Sequence, residues 1–195
     1  MDEAAKKRWW SIQWDNLAQR LKAEAGHHHD IQGSLESGGL WGEAKGAHKE
    51  AHTQMVDDAE AFGEKVAEHH FMAERYPGFE PQPLLGPKNG NDQFDQVWTH
   101  EDGRVVVIEA KSSTSTELGS RRLPNGKPVS QGSREYFFEI LRKMEKRREI
   151  GLVRKLEKAL DEGKLEYVLV KGERNTGAYT GYQYRRFDIS KGTLP

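Results

Sequence analysis

Apolar positions fall along this chain in two rhythms, and the switches between them mark its elements. Trp10, Trp14, Leu17 and Leu21 recur every three or four residues, which predicts a helix over residues 2–25. The same rhythm returns in Val56, Ala59, Phe62/Gly63, Val66, Ala67 and Phe71, predicting a helix over 47–75 that Pro77-Gly78 ends. Tyr136, Phe137, Ile140, Leu141 and Met144 predict a third over 133–148, capped by Ser130 or Ser133. A fourth is read over 152–162, closed by Gly163. Between them the period shortens. Phe79–Leu85 reads as extended, and 94–100 and 104–111 form two facing runs. Strands follow over 167–170 and 181–189. Gly26–Gly46 shows no period and reads as a Gly/His/Ser-rich linker anchored by Trp41. Gly86–Gly90 and Gly172–Gly177 read as turns, and Ser112–Ser130 as a mobile basic loop. The expected fold is α/β: a central mixed β-sheet flanked by helices, with an N-terminal helical extension and linker at 1–46 and the main domain at 47–195.

The two central runs carry the chemistry. Phe94-Asp95-Gln96-Val97-Trp98 is joined to Val105-Val106-Val107-Ile108-Glu109-Ala110-Lys111 through Glu101-Asp102-Gly103. Gly103 suits the left-handed position of a three-residue hairpin loop. His100 then pairs with Arg104, Val97 with Val107, and Asp95 with Glu109. Opposed residues share a face, and Lys111 joins them by the two-residue repeat. A two-residue loop would turn Asp95 to the other side, so the site rests on a one-residue choice of register.

Two close carboxylates repel one another unless a cation lies between them. Mg²⁺ or Mn²⁺ is the expected ion, with Zn²⁺ ranked behind, because carboxylate oxygens suit a hard cation that also accepts phosphate. Lys111 would hold the attacking water or steady charge on the phosphate. An E-x-K triplet alone is common on solvated strands, and the opposed Asp95 is what gives it weight.

Composition narrows the picture. Hydrophobic residues make up 35% and charged residues 31%, which is polar but not a disordered composition. No apolar run reaches the ~20 residues of a membrane span, and no signal peptide is read at the N-terminus. Cysteine is absent, which excludes disulfides and thiol chemistry. The net charge is −1, yet residues 1–110 hold 11 Lys+Arg against 20 Asp+Glu, and residues 111–195 hold 19 against 11. The basic half begins at Lys111 and offers Arg121, Arg122 and Lys127 to a phosphate backbone.

Asp95, then Glu109-Ala110-Lys111 on the next strand, resembles the PD-(D/E)xK (restriction-endonuclease-like) nuclease superfamily. Together with Val107-Ile108-Glu109-Ala110-Lys111-Ser112, the Gly/Arg-rich stretch and Gln131-Gly132-Ser133-Arg134-Glu135-Tyr136, it is similar to nuclease domains of bacterial polymorphic and contact-dependent growth inhibition toxins. The likeness covers roughly Val56–Ile189. The superfamily's proline is replaced by Phe94. The resemblance implies a restriction-endonuclease-like core and a metal-dependent endonuclease. It implies a metal held by Asp95, Glu109 and the Ala110 carbonyl, with a helix acid, Glu64 (or Glu60 or Glu68). Gln131 is implied near the substrate. The substrate would be nucleic acid, with DNA placed slightly ahead of tRNA. The protein would be a secreted or surface-delivered effector acting in the target-cell cytoplasm, blocked by a cognate immunity protein.

Two other readings compete. His48 and His52 stand four apart on a helix, a spacing that suits one metal ion. The zincin motif needs glutamate where Lys49 stands, so a metalloprotease is disfavoured. The alternative to an enzyme is a non-catalytic nucleic-acid- or partner-binding α/β module whose acids are structural.

Overall fold

The computed structural model describes residues 1–32, 35–86, 92–173 and 177–190. Expected turn residues 87–90 and 174–176 lie outside them. The chain divides into two units: residues 1–62 with 174–180, and residues 63–173 with 181–195.

The first unit is built on two long helices, α1 (Asp2–Gln32) and α2 (Leu35–Val66). No proline precedes Pro77, so nothing breaks either helix, and Asp2 and Glu3 favour the start of α1. The two helices run antiparallel. Lys7 pairs with Asp58 at 3.0 Å, Asp15 lies against His48 and His52, and the His29 ring stacks on Trp41 at 4.9 Å. The expected linker is therefore helical over Gly26–Gln32 and Leu35–Gly46. Its glycines and histidines have weak helix propensity, but Trp41, stacked on His29 and covered by the Lys45 ammonium, supplies packing that local pattern does not reveal. The stripe Trp10, Trp14, Leu17 and Leu21 is exposed, whereas Arg8 and Ser11 are buried. Trp9 stacks edge-on against Trp10.

In the second unit the helical path continues through a π-helical segment (Ala67–Met72) into α3 (Ala73–Arg75), and then into β1 (Glu80–Pro81). The sheet adds β2 (Gln96–Thr99), β3 (Val105–Lys111), β6 (Leu165–Gly172) and β7 (Tyr182–Phe187), in the order β1-β2-β3-β6-β7. Only β3 and β6 are parallel, so the sheet is mixed. The crossover between them holds β4 (Ser120–Arg122), β5 (Pro128–Ser130), α4 (Arg134–Lys146) and α5 (Ile150–Asp161). The stretch expected as an open basic loop thus contains a two-stranded hairpin. Ser133 caps α4, its hydroxyl accepting from the Tyr136 amide at 3.2 Å.

Val105–Glu109 is buried on both faces, the continuous pattern of a central strand. Val97, Val105, Val107 and Tyr167 pack with Phe137, Ile140, Met144 and Leu156 in one core. Asp95, Glu109 and Lys111 belong by alternation to that same face.

Candidate functional site

The hairpin register sets the site. Val97 pairs with Val107 and Thr99 with Val105, and the His100 amide donates to the Arg104 carbonyl at 2.9 Å. Gly103 takes φ +86°, closing the three-residue loop. Continued one step, this pairing sets Asp95 opposite Glu109. Asp95 Oδ2 accepts from the Ala110 amide at 2.7 Å, which holds its carboxylate against the end of β3.

Glu109 is fully buried, and its environment is specific. The Tyr167 hydroxyl donates to Oε1 at 2.6 Å and Gln131 Nε2 donates to Oε2 at 2.7 Å. Gln131 Oε1 in turn accepts from the Gly119 amide at 2.7 Å. Burial, then the neighbouring Asp95 charge, pushes the Glu109 carboxyl up to about 8, against the opposing Tyr167 hydrogen bond and the Lys111 charge. Burial also raises Asp95, opposed by Lys111 and the Ala110 amide. Lys111 thus acts on both acids, while its ammonium is held by neither ion pair nor hydrogen bond among the described residues.

The last turn of α2, from Gly63 on, belongs to the second unit and lies at the same place. A Cβ at Gly63 would lie 2.9 Å from the Lys111 carbonyl carbon and 3.1 Å from the Ser112 amide nitrogen, so only glycine permits this backbone approach. The Glu64 carbonyl accepts from Gln96 Nε2 at 2.9 Å, which sets Glu64, exposed, beside the start of β2. Glu60 and Glu68 are also exposed.

The three expected phosphate contacts sit differently. Arg121 is largely buried and turned inward, 2.6 Å from Asp92 and 3.9 Å from Glu139. Lys127 pairs with Glu135 at 3.1 Å. Arg122, exposed, donates to the Gly126 carbonyl at 3.1 Å. Gln131 is buried and acts on Glu109 rather than standing open to a substrate.

The sequence reading left out several groups. Tyr167, read only as a strand residue, binds Glu109. Tyr136, read as core and as the end of the Gln131–Tyr136 stretch but given no role of its own, has a buried hydroxyl that hydrogen-bonds nothing among the described residues. Burial first and then Glu109 raise it, so it stays protonated and available as a donor. Both tyrosines sit in apolar stripes, and a buried phenol demands a partner, which is the available signal. Across the sheet Glu109 pairs with Leu169 and Leu169 with Arg185, while Lys111 pairs with Lys171. Lys171, Arg185, Leu169 and Thr114 line a cavity of about 430 Å³. Lys171 Nζ donates to the Thr114 and Thr116 carbonyls at 3.1 and 2.5 Å, holding the segment after Lys111.

A second cluster lies in the first unit. Asp15, His48 and His52 bring one ligand atom each within 4.8 Å of one another, a triad that can hold a metal ion. No described helix is long and apolar enough to cross a membrane. No known family model matches this chain, nor does any curated protein or solved structure.

Proposed function

We propose that the second unit is a metal-dependent phosphodiesterase acting on nucleic acid, DNA ahead of tRNA. The observation that carries this reading is the meeting of Asp95, Glu109 and Lys111 on one sheet face. The mixed sheet, with one acid before β2 and Glu-x-Lys ending β3, supports a restriction-endonuclease-like core. The effector role, delivery to a target cell and an immunity partner rest on the sequence resemblance and belong to the same proposal.

The donor set fits a hard divalent cation. Each carboxylate has about four lone-pair sites, and Glu109 uses two and Asp95 one. Asp95 is only partly buried, leaving a side for a cation and its waters. Burial raises both acids against the single Lys111 charge, and a divalent charge between them would favour the ionised form of each. Asp95, Glu109 and the Ala110 carbonyl would hold Mg²⁺ or Mn²⁺, with Glu64 as the further acid. Bound there, the ion supplies charge stabilisation and an acidified water.

The chain's own residues do the rest. Tyr167 and Gln131 fix the Glu109 carboxylate. Lys111 donates to the attacking water or to a non-bridging phosphate oxygen. The Tyr136 hydroxyl is a further donor beside the acid pair. Water oxygen bonds to phosphorus and gives up a proton to solvent, the P–O ester bond breaks, and the leaving oxygen takes a proton from solvent. End-labelled DNA and total RNA incubated with protein and Mg²⁺ test this. Cleavage that EDTA stops and Lys111→Ala abolishes is expected.

One observation favours a non-catalytic binding module instead. Both Glu109 oxygens are already hydrogen-bonded, as in a structural buried acid. A shifted nucleic-acid band with no cleavage in Mg²⁺ or Mn²⁺ would establish that reading.

A further inference from the structure

We infer that Asp15, His48 and His52 form a second metal site, for Zn²⁺ or a like d-block ion, which clasps α1 to α2. It is independent of the phosphodiesterase reading. His48 and His52 lie one helical turn apart, with ring centroids 5.9 Å apart and planes 30° from parallel. His48 Nε2 lies 3.6 Å from Asp15 Oδ1, and His52 Nδ1 lies 3.4 Å from the same oxygen. Ligands bonded tetrahedrally to Zn²⁺ at 2.0–2.1 Å stand about 3.3 Å from one another. The two separations from Asp15 Oδ1 are close to that spacing, and all three ligand atoms lie within 4.8 Å of one another.

A direct hydrogen-bond account of the same cluster is weaker. Asp15 Oδ1 is buried and has no hydrogen-bond partner among the described residues. The one hydrogen bond joining the rings to this carboxylate, His52 Nδ1 to Oδ2, is 3.5 Å long. An imidazole pair with a carboxylate oxygen between them, all just beyond contact, is a ligand set that a cation would draw together. Two nitrogens and one oxygen select a borderline ion over Mg²⁺. The His52 side chain is 56% exposed and Asp15 only 14%, so one side of the cluster meets water, which supplies the fourth ligand.

The hairpin gives this site its purpose. α1 turns Ala5 and a polar set of Arg8, Ser11 and Asp15 inward and leaves Trp10 and Trp14 outside. Apolar burial therefore contributes little on that face, and a metal bridge across it replaces what packing omits. A ligand that binds only the folded hairpin stabilises it by mass action.

The test uses the full chain carrying Asp95→Asn, which silences the other acid pair. Zn²⁺ alone is titrated in by calorimetry, with thermal unfolding and ¹⁵N spectra of the imidazoles alongside. One equivalent bound, a midpoint raised by several degrees, and coordination shifts at Nε2 of His48 and Nδ1 of His52 are expected. Asp15→Asn and His48→Gln should each weaken binding at least tenfold. Replacing His27, His28 and His29 by alanine should leave it unchanged. The spectra of the chain with its histidines intact decide the matter even if a variant fails to fold. Binding that disappears with His27–His29 but survives His48→Gln overturns the site. So does an absence of zinc-induced shifts at His48 and His52.

Discussion

The two places proposed for a cation are built on opposite plans. Asp95 and Glu109 present oxygen alone, in the sheet, with Glu109 wholly out of water. Asp15, His48 and His52 present two nitrogens and an oxygen on a helical hairpin, with His52 open to solvent. At the sheet site burial works against charge and raises both carboxyls, so an ion there would compete with protons. At the hairpin site both imidazole nitrogens already stand 3.4–3.6 Å from the Asp15 oxygen, and all three ligand atoms lie within 4.8 Å of one another. The comparison teaches that burial and donor type set the role. On the proposed reading a buried oxygen pair beside a lysine acts on a substrate's charge, while an accessible nitrogen-rich set holds two helices.

The largest expected effect separates the two at once. Asp95→Asn or Lys111→Ala should lower cleavage by at least about a hundredfold. Each should leave thermal stability and Zn²⁺ binding near the parent's. Loss of folding in both variants would mark the acids and lysine as structural.

The next effect is in pH. Glu109 is raised from 4.5 to about 8 in the folded protein, so the folded state binds its proton more tightly than the unfolded one. Its contribution is complete below about pH 4.5 and lost as pH rises through about 8. Without divalent ions, urea-measured stability should fall across that window by an amount on the order of a few kcal/mol. Mg²⁺ should reverse the trend, because the ionised acids bind it. Asp95→Asn, which removes the second-largest cause of the shift, should move the Glu109 midpoint down. A flat profile in both would contradict the electrostatic account.

Smaller losses probe the supports. Gly63→Ala forces a methyl against the Lys111 and Ser112 backbone, and about 1–3 kcal/mol of stability should be lost, with cleavage reduced. Gln131→Ala leaves the Gly119 amide and Glu109 Oε2 without their partner and should cost about 1–3 kcal/mol. The smallest effect should come from Arg122→Ala. It should weaken nucleic-acid binding slightly and lower the salt dependence by about one charge, while Arg121→Ala should instead destabilise the fold through Asp92.

How much of this was legible in sequence follows the range of each interaction. The hairpin register was, because Gly103 dictates a local turn and the alternation dictates the faces. The burial of Val105–Ile108 was, because a continuous apolar run has few other uses. Gly26–Gly46 was misjudged, since its helical state depends on packing such as His29 on Trp41 rather than on propensity. Arg121 and Lys127 looked free because Asp92 and Glu135 reach them only through the fold. Gln131 was noticed for the wrong task, since its bond to Glu109 spans 22 residues. Asp15 gave no signal of its own. Only an antiparallel hairpin brings it to His48 and His52, whose spacing was visible.

The central claim is that Asp95, Glu109 and Lys111 together cut phosphodiesters with a divalent ion. The most direct measurement is cleavage of end-labelled DNA and total RNA in Mg²⁺ by the parent chain and by folded Lys111→Ala. Cleavage by the parent that EDTA stops and the variant lacks is the predicted result. Equal cleavage by both, or binding without cleavage in either Mg²⁺ or Mn²⁺, would contradict it.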